Sequence, residues 1–377
     1  MTNHIKILLE SQSPSCPLVV VVEEGKNSTW MYLINLEKSK LGKSNPVVAT
    51  AWLRNHLENK SNSIDKAIME SGSAPMLPGE FCNHPEGKQK INPEELECIW
   101  FEGGDGLALL EKGEILCIIP PWASEDYPPY SRDCIKENSL AIPLFERNML
   151  IDVVRKAQEF WLSWDKDPWT SFKDKRLKLL INHFGEYTKY YSIDGGKWPP
   201  KSMVKFEVDN ITYFITIGVS MIPQPTVEQY TDLRRFELGC AIETSELGKN
   251  EMAIAEFCSA IVRMPWDNIT WIGCGHTTEC YDVFSQENLF PYGVFINSKK
   301  YSNLPQVEFP DFREDTVNLL WITPISQVEF ELIKDKGNDE FLKQAREKNR
   351  SLIFGNNDNK GSRNKIKNVI KGLFSRK

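Results

Sequence analysis

Nothing constrains this chain more than residues 317–325, Val-Asn-Leu-Leu-Trp-Ile-Thr-Pro-Ile. The run is long and apolar, which reads as a buried β-strand, and Pro324 reads as its break. Glu329-Phe-Glu-Leu-Ile333 then alternates apolar with acidic residues, the period of a second strand. Upstream, Trp271-Ile-Gly-Cys-Gly-His-Thr-Thr278 is a turn punctuated by glycine around a lone histidine. A loop rich in proline and aromatic residues joins it to the long strand. The rest of the chain is organised around this sheet-forming stretch.

Before it, short apolar runs recur with turn residues between them. Residues 17–24 read as a buried strand and 30–36 as its hairpin partner, across Gly25-Lys-Asn-Ser. Residues 45–56 mix strand and turn character, and 62–70 suggest a short helix. After a loop holding Pro75, Pro78, Pro85 and Pro93 come strands at 96–102 and 106–110, joined by Gly103-Gly-Asp, then another at 114–120. Residues 122–134 read as an irregular loop.

The period changes at 147–164. Leu150, Val153, Val154, Ala157, Phe160, Trp161 and Trp164 fall at steps of three and four, one face of an amphipathic helix. A domain transition is placed just after it, at Asp165-Lys-Asp-Pro168, followed by a second helix through Leu177, Leu180, Ile181 and Phe184. Hairpin strands at 203–208 and 211–217 follow, around Asp209-Asn210. Residues 218–225 read as a loop, and 234–242 as a strand with Phe236, Leu238 and Cys240 on one side. Helices are predicted over 251–264 and 338–349, the latter capped by Asn338 or Asp339. The expected class is α+β, with mixed β-sheets packed with helices in two domains, 1–164 and 165–350. Residues 351–377 are expected to be a linker and a basic amphipathic tail.

The charge divides the same way. The 377 residues carry a net −7. Residues 356–377 hold seven basic residues against Asp358, a net +6, which leaves 38 basic and 51 acidic residues, a net −13, for the body. Such a body has no general electrostatic footprint for nucleic acid, so no nucleic-acid partner is expected. Within the tail, Ile366, Val369, Ile370, Leu373 and Phe374 share one helical face, with lysines mostly off it. A segment of that kind suits an anionic membrane surface or a docking partner. Residues 1–10 lack the pattern of a signal peptide, and no apolar run approaches the length of a membrane span. Nine scattered cysteines in a chain of this size fit a reduced, cytoplasmic setting.

No catalytic constellation emerges. Cys274, His276 and Cys280 offer zinc-like ligands but lack a fourth nearby, so no metal and no cofactor is expected. Cys82 or Cys134 with His84 would make a nucleophile–base pair without an orienting acid. Glu102, Asp105, Asp126 and Asp133 read as loop carboxylates, and Gly103-Gly-Asp-Gly106 as a hairpin turn, since it lacks the Lys-Ser/Thr of a phosphate loop. In Gly195-Gly-Lys-Trp-Pro-Pro200, Trp198 is either an exposed anchor or a packing residue. Of Arg234 and Arg235, one is expected to pair with an acid inside the domain and the other to face a partner.

Four elements in order carry a family resemblance. They are Thr216-Ile-Gly-Val-Ser-Met221, Arg234-Arg-Phe-Glu-Leu-Gly-Cys-Ala241, Gly275-His-Thr277, and Asn318-Leu-Leu-Trp-Ile-Thr-Pro-Ile325 with residues 329–333 and a helix at 340–347. Together they resemble the suppressor-of-fused domain in its bacterial form, over residues 180–345. Ala74-Pro-Met-Leu-Pro78, Trp100-Phe-Glu-Gly-Gly-Asp-Gly106 and Tyr130-Ser-Arg-Asp-Cys134 resemble the N-terminal extension of longer bacterial members. The resemblance implies an α+β fold without enzymatic activity. Eukaryotic members are cytosolic inhibitors that sequester zinc-finger transcription factors, and bacterial members resemble immunity proteins that neutralise toxins. This chain shows no equivalent of the eukaryotic C-terminal half that binds transcription factors.

The expectation that follows is a cytoplasmic protein that binds another protein, such as a toxin. The alternative is an enzyme acting on a small molecule in a groove between domains. Loops at strand ends carry function on a rigid scaffold. The expected partner-binding residues are therefore Trp198, Gly218, Ser220, Met221, Arg234, Arg235, His276 and Thr277, with the tail residues Ile366, Val369, Ile370, Leu373 and Phe374 as a second contact.

Overall fold

A computed structural model describes residues 5–41, 45–61, 63–64, 75–124, 127–248, 251–280, 283, 290–300 and 303–355. Most of the helix expected over 62–70, the carboxylate Asp126, Ala74 and the tail residues Ile366, Val369, Ile370, Leu373 and Phe374 lie outside them. The fold is α+β, with antiparallel and mixed sheets packed with helices. The chain divides into two compact units, Met1–Lys166 with Trp266–Ile269, and Asp167–Pro265 with Thr270–Lys377.

The first unit begins with an antiparallel meander, β1 Lys6–Gln12, β2 Leu18–Glu24, β3 Ser28–Asn35 and β4 Val47–Asn55. The β-branched run in β2 stiffens an extended backbone and packs well on a pleated surface. Trp30 and Trp52 face each other across β3 and β4 and are both fully buried. Their indole N–H groups are satisfied, by Ser28 Oγ and the Pro75 carbonyl and by Asn55 Oδ1. Burying each ring stabilises the unit by about 2–3 kcal/mol.

The second sheet of this unit runs β5 Leu96–Trp100, β6 Leu107–Glu111, β7 Glu114–Ile119, β8 Tyr130–Ser131 and β9 Ile142–Pro143. The helix Leu150–Trp164 buries Leu150, Val154, Ala157 and Phe160 at the steps its sequence predicts. The first three meet Phe101, Ala108, Leu110 and Ile118. Trp161 Nε1 donates to the Trp100 carbonyl at 2.7 Å, tying helix to sheet.

The second unit is built on one sheet, in the order β10 Lys189–Ser192, β11 Ser202–Val208, β12 Ile211–Ile217, β13 Arg235–Glu243, β16 Val317–Ile325, β15 Tyr292–Asn297, β14 Thr277–Glu279. β13 lies at its centre, antiparallel to β12 and parallel to β16. Both of its faces are buried, not only the side holding Phe236, Leu238 and Cys240. Gly239 on the other face sits under the Trp321 ring, where a Cβ would come within 2.7 Å of Cε3. That close approach requires glycine.

Several sequence expectations change here. Pro324 does not end the strand: β16 runs through it to Ile325. The parallel pairing with β13 stops at Ile322, so the missing N–H of Pro324 falls beyond that ladder. Residues 327–333 are not a strand but part of the helix Gln327–Lys336. Ser326 and Glu329 form a reciprocal capping box at its start. Val328, just before the run read as a strand, is 78% exposed. The last helix is Asn338–Glu347, and its N-cap is Gly337 rather than Asn338 or Asp339. The connection read as a loop contains β15, and β10 forms a sheet edge that no sequence pattern announced. No helix among the described residues is long and apolar enough to cross a membrane.

Candidate functional site

Four segments of the second unit converge where β12 ends and β13 and β16 begin. At the end of β12 the chain turns through Gly218, whose φ of +105° favours glycine. A Cβ there would also approach the Pro200 carbonyl oxygen and the Trp169 ring within 2.7 Å. Residues 219–221 then form a single 3₁₀ turn rather than an open loop.

Glu237 of β13 holds this turn. Its Oε1 accepts from the Gly218 N–H (2.9 Å), the Ser220 N–H (3.1 Å) and the Ser220 hydroxyl (2.6 Å). Its Oε2 accepts from the Thr216 hydroxyl, which itself accepts from the Leu238 N–H. Burial pushes the Glu237 carboxyl up, and the four donors oppose that shift. Two residues earlier, Arg235 donates from Nη1 to the carbonyls of Ser220 and Met221, and from Nε to Asp315 at 2.8 Å. Arg234 reaches the other oxygen of Asp315 at 3.1 Å. Arg235 also lies over the Phe312 ring.

From the helix Pro168–Phe184, Arg176 lies between the rings of Phe172 and Phe309 and donates to the Pro310 carbonyl. Burial lowers its pKa, opposed by Glu237 and Asp311. Gln224 links this cluster to the histidine turn. Its amide nitrogen donates to the carbonyls of Leu233 and Ile272, and its amide oxygen accepts from the Ile272 N–H.

Of the residues named from sequence, Gly218, Ser220, Met221 and Arg235 are interior. Ser220, Met221 and Arg235 offer essentially no surface to a partner, because their polar groups and apolar area are used inside the fold. Arg234 is one-fifth exposed. Trp198 is 39% exposed, and Tyr230, in the connection to β13, is 54% exposed. His276 and Thr277 are half-buried. The His276 ring lies 4.3 Å from that of Trp271, and its Nδ1 accepts from the Gly273 N–H. Burial lowers its pKa, with a backbone bond to Trp271 acting the other way, which favours the neutral ring at pH 7.

The other sequence candidates have structural duties. Cys274 Sγ accepts from the Asn297 N–H, and the Cys280 thiol donates to the Phe290 carbonyl. Burial pushes the Cys280 and Cys82 thiols up to about 12 and the Cys134 thiol upward as well, which disfavours a thiolate nucleophile. Asp133 is buried among Arg54, Lys88 and Arg132. Gly103 and Gly104 present carbonyls to the hydroxyls of Ser15 and Ser13, as a turn does.

Sequence reasoning named none of Arg176, Gln224, Glu237 and Asp315 as site residues. Glu237 sat inside a quoted motif. Asp315 follows Arg313 and Glu314, both at positive φ, and nothing in the sequence announces that turn.

A family model described as "Suppressor of fused protein (SUFU)" matches residues 197–357. That segment holds most of the hub, although Arg176 lies outside it. Among solved structures, one titled "the Sufu-Fu complex crystal structure" is similar at 15% identity, over 48% of this chain and 88% of that chain, with a TM-score of 0.37. No curated protein matches.

Proposed function

We propose that this chain is a non-enzymatic protein that binds another protein in the cytoplasm. More narrowly, it is an immunity- or antitoxin-like inhibitor that neutralises a toxin by occluding it. One observation carries the reading: the segment that matches the suppressor-of-fused model is the one whose motifs build the polar hub. Those motifs use their polar groups to fix a turn and a strand end. A preordered surface loses less entropy on association.

The partner surface in this reading is the rim around the hub. Trp198 and Tyr230 are its exposed aromatic residues, and Arg234, His276 and Thr277 are partly buried. Aromatic and arginine side chains are the usual anchors of an interface. The net −13 outside residues 356–377 supports a basic toxin as the target, since complementary charge speeds encounter. The nine free thiols support a reducing compartment. The basic segment after residue 355 would add a weaker contact with an anionic membrane surface.

The test is affinity capture from the native host with the tagged full chain and with a variant carrying Trp198→Ala, Tyr230→Ala and Arg234→Ala. The expected result is a basic protein, encoded beside this one, that the wild type captures and the variant loses. A wild type that captures nothing beyond what the variant captures overturns the reading.

A further inference from the structure

The first unit contains a cleft of about 560 Å³ that neither the hub nor the partner surface uses. That volume lies within the usual range for small-molecule sites, about 300–1,000 Å³. Its wall is formed by the end of β4, residues 83–95, the β6–β7 turn and residues 132–133. Five cationic side chains line it, Arg54, Lys88, Lys90, Lys112 and Arg132, against four carboxylates.

The buried carboxylates are already committed. Glu111 accepts from Arg54 Nη2 at 2.6 Å and from Arg132 Nη2. Burial works to raise its pKa, yet the two guanidinium groups hold it below the ordinary value. Asp133 pairs with Arg54, Lys88 and Arg132 at 3.3, 3.3 and 3.4 Å. The remaining two carboxylates are the more exposed Glu95, beside Lys112, and Glu114, beside Arg132.

Lys90 is paired as well, with Glu24 at 2.8 Å, so the spare capacity lies in the remaining donors of Lys88 and Lys112. Arg54 is 3% exposed, and its Nε has no hydrogen-bond partner among the described residues. That Nε is itself buried, so Arg54 shapes the floor and the donors open to a ligand belong to the lysines. Lys88 is about one-third exposed and Lys112 about two-thirds, and each ammonium carries three donors.

We propose that this cleft binds a small oxyanion-bearing molecule, a phosphate or polycarboxylate, with Lys88, Arg132 and Arg54 at its floor and Lys90 and Lys112 at its rim. The carboxylates Glu111 and Asp133 would act as positioning groups that hold the two arginines in place. The site is a property of the first unit alone and does not depend on the protein-binding reading.

Titration calorimetry on the full chain, with pyrophosphate and with citrate at matched ionic strength, tests this. Saturable binding of either is expected, and which of the two binds identifies the ligand chemistry. Lys88→Ala and Lys112→Ala should each weaken it about tenfold or more. Lys38→Ala, an exposed lysine outside the cleft, should leave it unchanged. The melting temperature of each ligand-free variant verifies folding, and Lys112→Ala, on an exposed side chain, is the safer of the two. Saturable binding of neither probe at millimolar concentration overturns the proposal, as does binding that Lys112→Ala leaves intact or that Lys38→Ala weakens equally.

Discussion

At the scale of single residues, Glu237 is the side chain on which most of the hub depends. It receives four hydrogen bonds, two from backbone N–H groups that no solvent reaches. Glu237→Leu would strand the N–H groups of Gly218 and Ser220 and take away a neighbour of the buried Arg176. We expect it to cost roughly 3 kcal/mol or more, because each buried unsatisfied donor costs about 1–3 kcal/mol. Glu237→Gln keeps an acceptor for both N–H groups and gives Thr216 a donor that its hydroxyl can accept from, so a loss near 1 kcal/mol is expected. Urea unfolding of both variants measures the difference, and equal losses would show that the hydrogen bonds are not what the carboxyl contributes. The same residue marks how far the site was legible. The motif containing it was visible in sequence, and so was the expectation that one of Arg234 and Arg235 pairs with an internal acid. In the structure both reach Asp315. The direction in which the motif points was not visible. β13 is buried on both faces, so alternation loses its meaning and a charged residue reads as exposed when it is interior.

At the scale of elements, the edge of the large sheet is fastened to the helix Glu251–Ile261 by charge. Glu251, its first residue, accepts from the hydroxyl of Tyr191 and pairs with Lys189 and Lys205, both at 2.9 Å. A carboxylate also suits a helix N-terminus. The bond from Tyr191, followed by those from the two lysines, brings the pKa of Glu251 down to about 2. A folded-state pKa below the ordinary 4.5 contributes stability that is fully present above 4.5 and is lost as pH falls toward 2. Melting temperatures of the wild type and Glu251→Gln should therefore differ above pH 4.5 and converge on acidification, and parallel curves down to pH 2 would refute this linkage. Elements differed in how plainly the sequence announced them. The hairpins of β2 with β3 and β11 with β12 were legible because apolar, β-branched runs are broken by turn residues. The helix Gln327–Lys336 was not, because Phe330 and Leu332 happen to alternate with acids while Ser326 and Glu329 cap a helix. Local capping outweighed a two-residue period. β10 is short and polar, and only its pairing with β11 makes it a strand.

At the scale of the whole molecule, the charge is segregated along the chain: −13 before residue 356 and +6 after it. The basic segment carries Ile366, Val369, Ile370, Leu373 and Phe374 at helical spacing, on a stretch of about three turns. Isolated helices shorter than about 12–15 residues are marginal in water, and an apolar face buried against a surface adds to their stability. Each basic residue near an anionic surface contributes on the order of 1 kcal/mol, and the apolar face adds its burial. The sum suits reversible attachment, and it opposes the repulsion of the acidic remainder from the same surface. The full chain is therefore expected to float with vesicles containing anionic lipid at low salt. It should be released as salt rises toward 1 M, where the screening length falls to about 3 Å. A version ending at Gly355 should stay in the load. Neutral vesicles separate the two contributions: the full chain should leave them as well, because the apolar face alone is too small to hold it. If the full and shortened chains float alike on anionic vesicles at low salt, the membrane contact is wrong, and the apolar face is left to a protein partner.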